Sequence, residues 1–320
     1  VCLGLLSCEK EALETPDDNL CLYIQVPSTQ TTKAISDPGS ATQEGEDWDR
    51  LAVIFVYKDK FLRVDTMTKT QFLALPSYNG NGNIKMMSIY AEPGTMHIYG
   101  ATYSCDVKDC FGDKIKTCTA ETDLQQLTIS NDYAQGAANA TSKFLSVATG
   151  YYKDSKGNLA DYVINEDGTG TPNAVMTLTR LAAKIDIQWD AADAYGQGYT
   201  DVKVTGFTFD SNNTSVTDTG SGRLFPALNT SSAKIAGNKT FYNTFEISQR
   251  NGRVYHYTFP DGVSEPSVEF KITANGQDGT SISGKGYTLN FPSALQQATW
   301  YKVNATIKGI TGSGTIDLNK

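Results

Sequence analysis

Alternation of apolar and polar residues recurs along the chain and predicts β-strands. Every second residue is apolar in residues 301–308, and the residues between them are polar. Residues 268–274 repeat this pattern and lead, after a glycine-rich turn, to an apolar set in residues 287–291. Because successive side chains point to opposite faces of a strand, each segment is expected to bury one face, and the last two to form a β-hairpin.

Three further segments also predict strands, and each departs from simple alternation in a way that indicates the strand's burial or shape. Residues 175–189 carry their more apolar side chains at odd positions and predict one long half-buried strand. In residues 201–210 the phase slips by one at Gly206, which predicts a β-bulge. Residues 51–57 are apolar at successive positions, which is typical of a central strand covered on both faces.

Short strands, frequent turns and few helical patterns favour an all-β fold of tandem β-sandwiches. The turn-rich stretch at 168–174 separates two strand-rich halves. We therefore expect an N-terminal β-sandwich over residues 20–174 and a C-terminal β-sandwich over residues 175–320. Helices should be few and short, with one candidate in residues 131–147.

The first residues have the pattern of an export signal. An apolar run ends in Leu5, Leu6, Ser7 and Cys8, and a charged stretch follows. These four residues resemble a bacterial lipobox, in which the cysteine receives acyl chains that attach a protein to a membrane. We expect lipidation of Cys8, with residues 1–19 acting as signal remnant and tether, and an outer-membrane lipoprotein precursor as the product. The alternative is a buried N-terminal strand with a cysteine in the core.

Composition narrows the classes of partner. The net charge of −8 argues against nucleic acid, because phosphate binding needs a basic surface. Charged residues make up only 19% of the chain, as is common in extracellular β proteins. No apolar run of about 18 residues follows Cys8, so the lipid on Cys8 is the expected membrane contact.

Four cysteines follow the signal and are candidates for disulfides in an exported protein. They are Cys21, Cys105, Cys110 and Cys118. They would form two disulfides in any of three pairings, or one disulfide and two thiols. Zinc is the other use of clustered cysteines, but the spacing contains no C-x-x-C pair, so no metal and no cofactor are expected.

The sequence does not indicate catalysis. The two histidines, His97 and His256, each lie in an aromatic strand, where a sheet-face role is expected. The glycine-rich stretches lack the strand-to-helix context of a phosphate cradle, and the chain contains no G-x-S-x-G or H-E-x-x-H motif. We therefore expect no catalytic residues, and the protein is not expected to be an enzyme.

With these features in place, the chain resembles the fimbrillins of Bacteroidales, the subunits of type V pili. Residues 31–57 resemble the processing segment and first core strand of that family. Residues 178–189 resemble the strand that begins its second domain, and residues 299–310 resemble a late strand. The resemblance implies two transthyretin-like, Greek-key sandwiches in a cell-surface fimbria that supports cell adhesion.

The resemblance also implies assembly by donor-strand exchange. A protease removes the N-terminal strand of each family precursor, and a strand of the neighbouring subunit fills the groove. Here the removable strand corresponds to residues 20–26, with Leu20, Leu22, Ile24 and Val26 expected on one apolar face. The C-terminal alternation of Ile316 and Leu318 marks a candidate donor strand.

Processing would occur between Lys33 and Ala34, where family members generally carry arginine, and Arg50 is a second candidate. Cleavage there would discard Cys21, whereas a disulfide from Cys21 to the loop 105–118 would hold the first strand in place. Stalk, anchor and tip roles are therefore alternatives. The implied partners are other pilus subunits, the processing protease and surface glycans or proteins.

An alternative interpretation, from a different functional class, is that the chain is a lipid-anchored surface glycan-binding protein. Such a protein needs an exposed aromatic platform, for which Trp48, Trp189, Trp300 and several of the 17 tyrosines are candidates.

Overall fold

The structure is a computed structural model that describes most of the chain. The described residues are 21–27, 47–57, 60–89, 93–104, 111–130, 146–167, 169–171, 174–196, 198–210, 221–228, 240–242, 251–258, 267–276, 279, 281–291, 295–307 and 314–319. The predicted helix in 131–147 lies mostly outside them.

Strands dominate the fold, as the alternation predicted. Numbered in chain order, they are β1 (Cys21–Gln25), β2 (Arg50–Tyr57), β3 (Lys60–Thr68), β4 (Ser77–Tyr78), β5 (Asn81–Ser88), β6 (Gly94–Tyr103), β7 (Thr128–Ser130), β8 (Ala148–Tyr151), β9 (Tyr162–Ile164), β10 (Ala174–Thr177), β11 (Thr179–Arg180), β12 (Ala183–Asp190), β13 (Thr200–Asp210), β14 (Ser221–Arg223), β15 (Thr240–Tyr242), β16 (Asn251–Thr258), β17 (Ser267–Asn275), β18 (Ser281–Asn290), β19 (Trp300–Ile307) and β20 (Gly314–Asn319). The helices are α1 (Lys69–Ala74), α2 (Phe111–Thr117), α3 (Glu121–Gln126) and α4 (Ala192–Gly196). None of the helices in the described residues is long and apolar enough to cross a bilayer.

The first half of the chain forms a sandwich of two sheets. One sheet has the strand order β10-β1-β5-β4, and the other has the order β11-β8-β6-β2-β3, with β9 also paired to β6. Between the sheets lies a core that includes Leu22, Ile24, Val53 and Ile98. The opposite face of the second sheet carries a further apolar layer under α2 and α3, so that β2 is buried on both faces, as predicted.

The second half forms another pair of four-stranded sheets, in the orders β16-β12-β19-β20 and β15-β13-β17-β18. Its core includes Ile185, Ile187, Val303 and Ile272. The predicted β17–β18 hairpin is confirmed, and a register shift between Val204 and Gly206 confirms the predicted bulge in β13. The all-β sandwich fold is therefore the one that the sequence pattern predicted.

The prediction of one long strand over residues 175–189 is wrong. The segment is split into β10, β11 and β12, which belong to three different sheets. In β10 Val175, at 41%, and Thr177 are exposed, whereas Met176 is fully buried. The buried residues therefore have even numbers in β10, whereas Ile185 and Ile187 are buried at odd positions in β12. The change of phase occurs because the chain passes from one sandwich to the other between these strands. The sheets of the first half thus extend past residue 174 to Arg180.

A short segment of the second half also packs onto the first half. Strand β14 pairs antiparallel with β7, and Leu224 N–H donates to the carbonyl of Leu127 at 2.9 Å. Phe225 is 1% exposed and meets the ring of Tyr99 edge-on, with ring centroids 5.0 Å apart. We call residues 221–225 the clasp, because they join the core of the first half from a distant part of the chain.

The pairing of β16 with β12 depends on a glycine. A Cβ atom added at Gly252 would lie 2.0 Å from Cζ2 of Trp189, which is 3% exposed in the core. We expect Gly252→Ala to lower the free energy of unfolding by about 1–3 kcal/mol, because the indole ring must leave its place. Urea unfolding followed by tryptophan fluorescence measures this loss.

The matched control for that substitution is Gly82→Ala in β5, where an added Cβ meets nothing within 4 Å. It should change the free energy of unfolding by no more than about 0.5 kcal/mol. Equal losses at Gly82 and Gly252 would show that backbone conformation, and not contact with Trp189, determines the effect.

Candidate functional site: the N-terminal strand and its groove

Strand β1 lies in the interior of its sheet. It pairs parallel with β10, where Leu22 is opposite Ala174, and antiparallel with β5, where Leu22 is opposite Met87. The Leu178 N–H donates to the carbonyl of Gln25 at 2.8 Å and extends the first of these ladders. Both edges of β1 are therefore hydrogen-bonded. We call the space that β1 occupies between β5 and β10 the groove.

The side chains of β1 are buried on both faces of the sheet. Leu22 and Ile24 are fully buried and Val26 is 6% exposed, all in the core of the first sandwich. On the opposite face Tyr23 is buried, and its ring centroid lies 4.1 Å from that of Tyr78. Burying such a side chain contributes about 1.5–3 kcal/mol, so the strand is held by packing as well as by its ladders. Leu20 and Cys8 lie outside the described residues.

The chain that follows β1 is described again from Asp47, so the predicted cleavage point at Lys33 and Ala34 lies outside the described residues. From Asp47 onward the chain is firmly attached. Both carboxylate oxygens of Asp47 lie 2.7 Å from Lys69 Nζ. The Trp48 ring is 3% exposed and packs edge-on against Phe72 of α1.

Helix α1 carries Lys69 and Phe72, the two residues that hold Asp47 and Trp48, and its first turn is capped. The Thr68 hydroxyl accepts from the Gln71 N–H at 3.1 Å, and the Gln71 side-chain oxygen accepts from the Thr68 N–H at 2.8 Å. The second predicted cleavage point, Arg50, directly follows this region. It is exposed, but it is the first residue of β2 and is paired with Thr68 on one side and Tyr103 on the other.

The candidate donor strand, β20, lies at the edge of its sheet. It pairs antiparallel with β19, with Ile316 opposite Ala305 and Leu318 opposite Val303. Both of these partners, Ala305 and Val303, are buried in the core of the second sandwich. Within the described residues β20 has one ladder, whereas β1 has two.

The cysteines are distributed over separate regions. Cys21 is buried in β1, and Cys118 follows α2, with its thiol donating to the carbonyl of Lys114 at 3.5 Å. No disulfide joins Cys21 to Cys118 within the described residues, and Cys118 has a free thiol there. Burial raises the pKa of the Cys118 thiol to about 11, so its reactive thiolate is scarce at neutral pH. Cys105 and Cys110 lie outside the described residues.

A polar cluster that sequence reasoning missed lies on the second sheet. His97 Nδ1 is 2.6 Å from Glu121 Oε1, and His97 Nε2 is 3.1 Å from Asp161 Oδ1. Tyr99 donates to the same oxygen of Glu121, and Gln125 donates to the Tyr99 hydroxyl at 3.0 Å. Burial, reinforced by the bond to Glu121, raises the pKa of Tyr99.

The start of α3 positions this cluster. The Asp123 carboxylate accepts from the N–H groups of Thr119, at 2.9 Å, and Ala120, at 3.0 Å, which fixes the first turn and its residue Glu121. A pocket of about 440 Å³ lies beside the cluster and is also lined by Tyr57 and Met96. The imidazole contacts both carboxylates and remains partly exposed. No group of three or more side chains in the described residues is arranged to hold a metal ion.

The three tryptophans differ in exposure, which bears on the glycan-binding alternative. Trp48 and Trp189 are each 3% exposed and lie in the cores of the two sandwiches. Trp300, at the start of β19, is half-buried and reaches the outer face of its sheet. Trp48 and Trp189 are therefore core residues and cannot contribute to an exposed aromatic platform.

Comparison with solved structures finds the same fold in candidate cell adhesion proteins and in a fimbrilin of Bacteroidales. A candidate cell adhesion protein of Bacteroides eggerthii has a TM-score of 0.54 at 14% identity, with 95% of this chain and 96% of that chain covered. A candidate cell adhesion protein of Parabacteroides distasonis has a TM-score of 0.51 at 14% identity, with the same coverage of 95% and 96%. The fimbrilin FimA of Porphyromonas gingivalis has a TM-score of 0.50 at 10% identity, with 91% of this chain and 90% of that chain covered.

No protein-family model matches the sequence, and no curated protein matches it. The likeness is thus one of three-dimensional structure, and it extends over nearly the whole chain. The chain therefore has the fold of the Bacteroidales fimbrillins and of the cell adhesion proteins that share their architecture, as the sequence resemblance predicted.

Proposed function

We propose that the protein is a structural subunit of a cell-surface fimbria that supports adhesion, and that subunits join when a neighbour's strand replaces β1. The observation that supports this most directly is the central position of β1 between β5 and β10. Removal of β1 would leave two strand edges unpaired and would expose the core residues that Leu22 and Ile24 now cover. A strand from another copy satisfies both the backbone and the apolar surface.

The direction of the replacing strand follows from the ladders of the groove. An incoming strand that reproduces both of them runs parallel to β10 and antiparallel to β5. Strand β20 has six residues, with Ile316 and Leu318 spaced like Leu22 and Ile24. A strand that leaves a sheet edge for the groove exchanges one ladder for two, which favours transfer.

The attachment of the chain at Asp47 and Trp48 favours Lys33 as the processing site. Cleavage after Lys33 would leave the ion pair to Lys69 and the packing of Trp48 on Phe72 in place. Cleavage after Arg50 would remove Trp48 from the core, at a cost of about 3–5 kcal/mol by analogy with truncation of a buried tryptophan. The proposed precursor is a non-catalytic outer-membrane lipoprotein acylated on Cys8.

The test is assembly of the full chain during limited digestion with a trypsin-like protease. We expect ladders of sodium dodecyl sulfate-resistant oligomers on unheated gels, with a new N-terminus at Ala34 detected by mass spectrometry. Lys33→Gln should abolish the ladders, and the matched variant Arg50→Gln should not. Adding a synthetic peptide of residues 20–26 in excess should cap the groove and shorten the ladders.

Two results would contradict the proposal. One is a protein that is cleaved at Lys33 and has released residues 20–33, yet stays monomeric at high concentration. The other is oligomers that form equally well from the uncleaved Lys33→Gln variant, because assembly would then not depend on emptying the groove. Metabolic labelling with a fatty-acid analogue, lost in Cys8→Ala, tests the lipid anchor separately.

A further inference from the structure

One side chain of β1 is buried on the outer face of its sheet, where the strands of a sandwich are usually exposed to solvent. Tyr23 is only 6% exposed, although its neighbours Leu22 and Ile24 belong to the core of the first sandwich. Because successive side chains of a strand alternate between the two faces, Tyr23 lies on the outer face. A strand that replaces β1 must therefore fill a covered position there as well as the positions in the core.

Three described side chains surround this outer position. The ring centroid of Tyr23 lies 4.1 Å from that of Tyr78, and the two ring planes are inclined by 46°. Met86 in β5 and Val175 in β10 are the direct partners of Tyr23 in its two ladders, and such cross-strand partners share a face of a sheet. We call the position bounded by Tyr78, Met86 and Val175 the aromatic slot.

The chemistry of the slot favours an aromatic occupant. A pair of aromatic rings contributes free energy beyond the burial of its area, equal to a factor of about 2 to 12 in affinity. A carboxylate in the slot would lose hydration, and none of Tyr78, Met86 and Val175 carries a positive charge that could offset this cost. The core positions of the groove are less selective, because a core tolerates exchange among apolar side chains of similar volume.

The candidate donor strand β20 would place an acid in the slot. The incoming strand has the direction of β1, so β20 is aligned with β1 by matching its two apolar residues to Leu22 and Ile24. Asp317 then takes the position of Tyr23. Strand β20 therefore matches the core positions of the groove but not the aromatic slot, whereas β1 matches both.

We propose that the aromatic slot selects the strand that fills the groove, and that its preferred occupant is a strand of a pilus subunit with an aromatic residue at the position of Tyr23 and an apolar residue two atoms of backbone register away, at the positions of Leu22 and Ile24. This inference rests on the proposed function, because it requires that β1 can be exchanged. Strand β20, with Asp317, is a weaker occupant, so a joint between identical copies is less stable than a joint made with an aromatic-bearing strand.

The test is competition between peptides for the groove of the full chain digested at Lys33. A fluorescent peptide of residues 20–26 replaces β1, and unlabelled peptides then displace it under reducing conditions while anisotropy reports their relative affinities. We expect the change Tyr23→Leu to weaken the competing peptide by about 2- to 12-fold, because the ring pair is lost. Tyr23→Asp should weaken it by about 100-fold or more, because the carboxylate is also buried without a cation.

The matched control peptide carries Gln25→Asp. It adds the same charge to the same face of the strand, but at a half-buried position. Its affinity should fall by no more than about fivefold. This comparison separates the burial of the slot from a general effect of charge on the peptide.

Two pairs of protein variants locate the preference in the slot. Tyr78→Ala should abolish the difference between the unmodified peptide and the Tyr23→Leu peptide, whereas Leu73→Ala, at an exposed side chain of α1, should preserve it. In the full chain, Asp317→Tyr should give oligomer ladders that survive heating in sodium dodecyl sulfate to a higher temperature. Asn319→Tyr, at the next position on the same face, should not.

Equal affinities of the unmodified and Tyr23→Asp peptides would overturn the proposal and leave strand exchange in place. Equal losses for Tyr23→Asp and Gln25→Asp would also overturn it, because charge alone would then explain the effect. A digested protein that binds none of the peptides would contradict the exchangeable groove itself, and the selection with it. If thermal unfolding shows that Tyr78→Ala does not fold, the peptide series on the unmodified protein decides the test.

Discussion

Replacing Ile24 with alanine is expected to lower the free energy of unfolding by about 2–5 kcal/mol, because the side chain is fully buried at the centre of the first core. Strand β1 is held mainly by such side chains and by two ladders, so the substitution weakens its hold on the groove directly. Urea unfolding at neutral pH measures the loss. The same variant should exchange β1 for an added peptide of residues 20–26 faster than the unmodified protein.

Gln25→Ala is the control for Ile24→Ala, because Gln25 keeps its backbone ladder but is only half-buried. Its loss should stay below about 1 kcal/mol, as for other side chains outside a core. An Ile24→Ala variant as stable as the unmodified protein would mean that β1 does not occupy the groove in solution, and the proposed assembly would lose its basis.

Replacing Phe225 with alanine is expected to cost about 3–5 kcal/mol, because its ring fills the apolar layer beside Tyr99. Phe225 belongs to the second half of the chain, yet the contacts that it loses are in the first half. We therefore expect the variant to unfold in two separate steps by differential scanning calorimetry, whereas the unmodified protein unfolds in one.

The control for Phe225→Ala is Leu73→Ala, since Leu73 is 50% exposed on α1. That variant should unfold in a single step, within about 0.5 kcal/mol of the unmodified protein. Two transitions in the unmodified protein, unchanged by Phe225→Ala, would show that the clasp does not couple the two halves.

The alternation of apolar and polar residues correctly predicted the strands that stay within a single sheet along their whole length. Strand β19 alternates between buried and more exposed residues as expected, the β17–β18 hairpin forms, and the phase slip at Gly206 coincides with the bulge. The prediction was wrong at residues 175–189, where apolar residues continue without a break but serve different sheets. The buried apolar residues have even numbers at Met176 and Leu178 and odd numbers from Leu181 to Trp189. The sequence pattern alone does not show this change, because apolar residues occur at both sets of positions.

The polar cluster and the clasp could not be predicted for a different reason. His97, Glu121 and Asp161 come from separate segments, and only the packing of α3 and the chain before β9 on the second sheet brings them together. The clasp contains two adjacent apolar residues, Leu224 and Phe225, which is too short to carry a period. The sequence predicted the apolar face of β1. It could not predict that β5 and β10 are the neighbours of β1, because those pairings join residues that are distant in the chain.

The clasp also bears on how the molecule responds to mechanical load. The chain passes from the first sandwich to the second after Arg180, and the β7–β14 pair with Phe225 is a second attachment. A single covalent crossing acts as a swivel, whereas two separated attachments resist both bending and torsion. In the proposed filament, bending would therefore be expected at the junctions between copies more than between the two sandwiches of one copy.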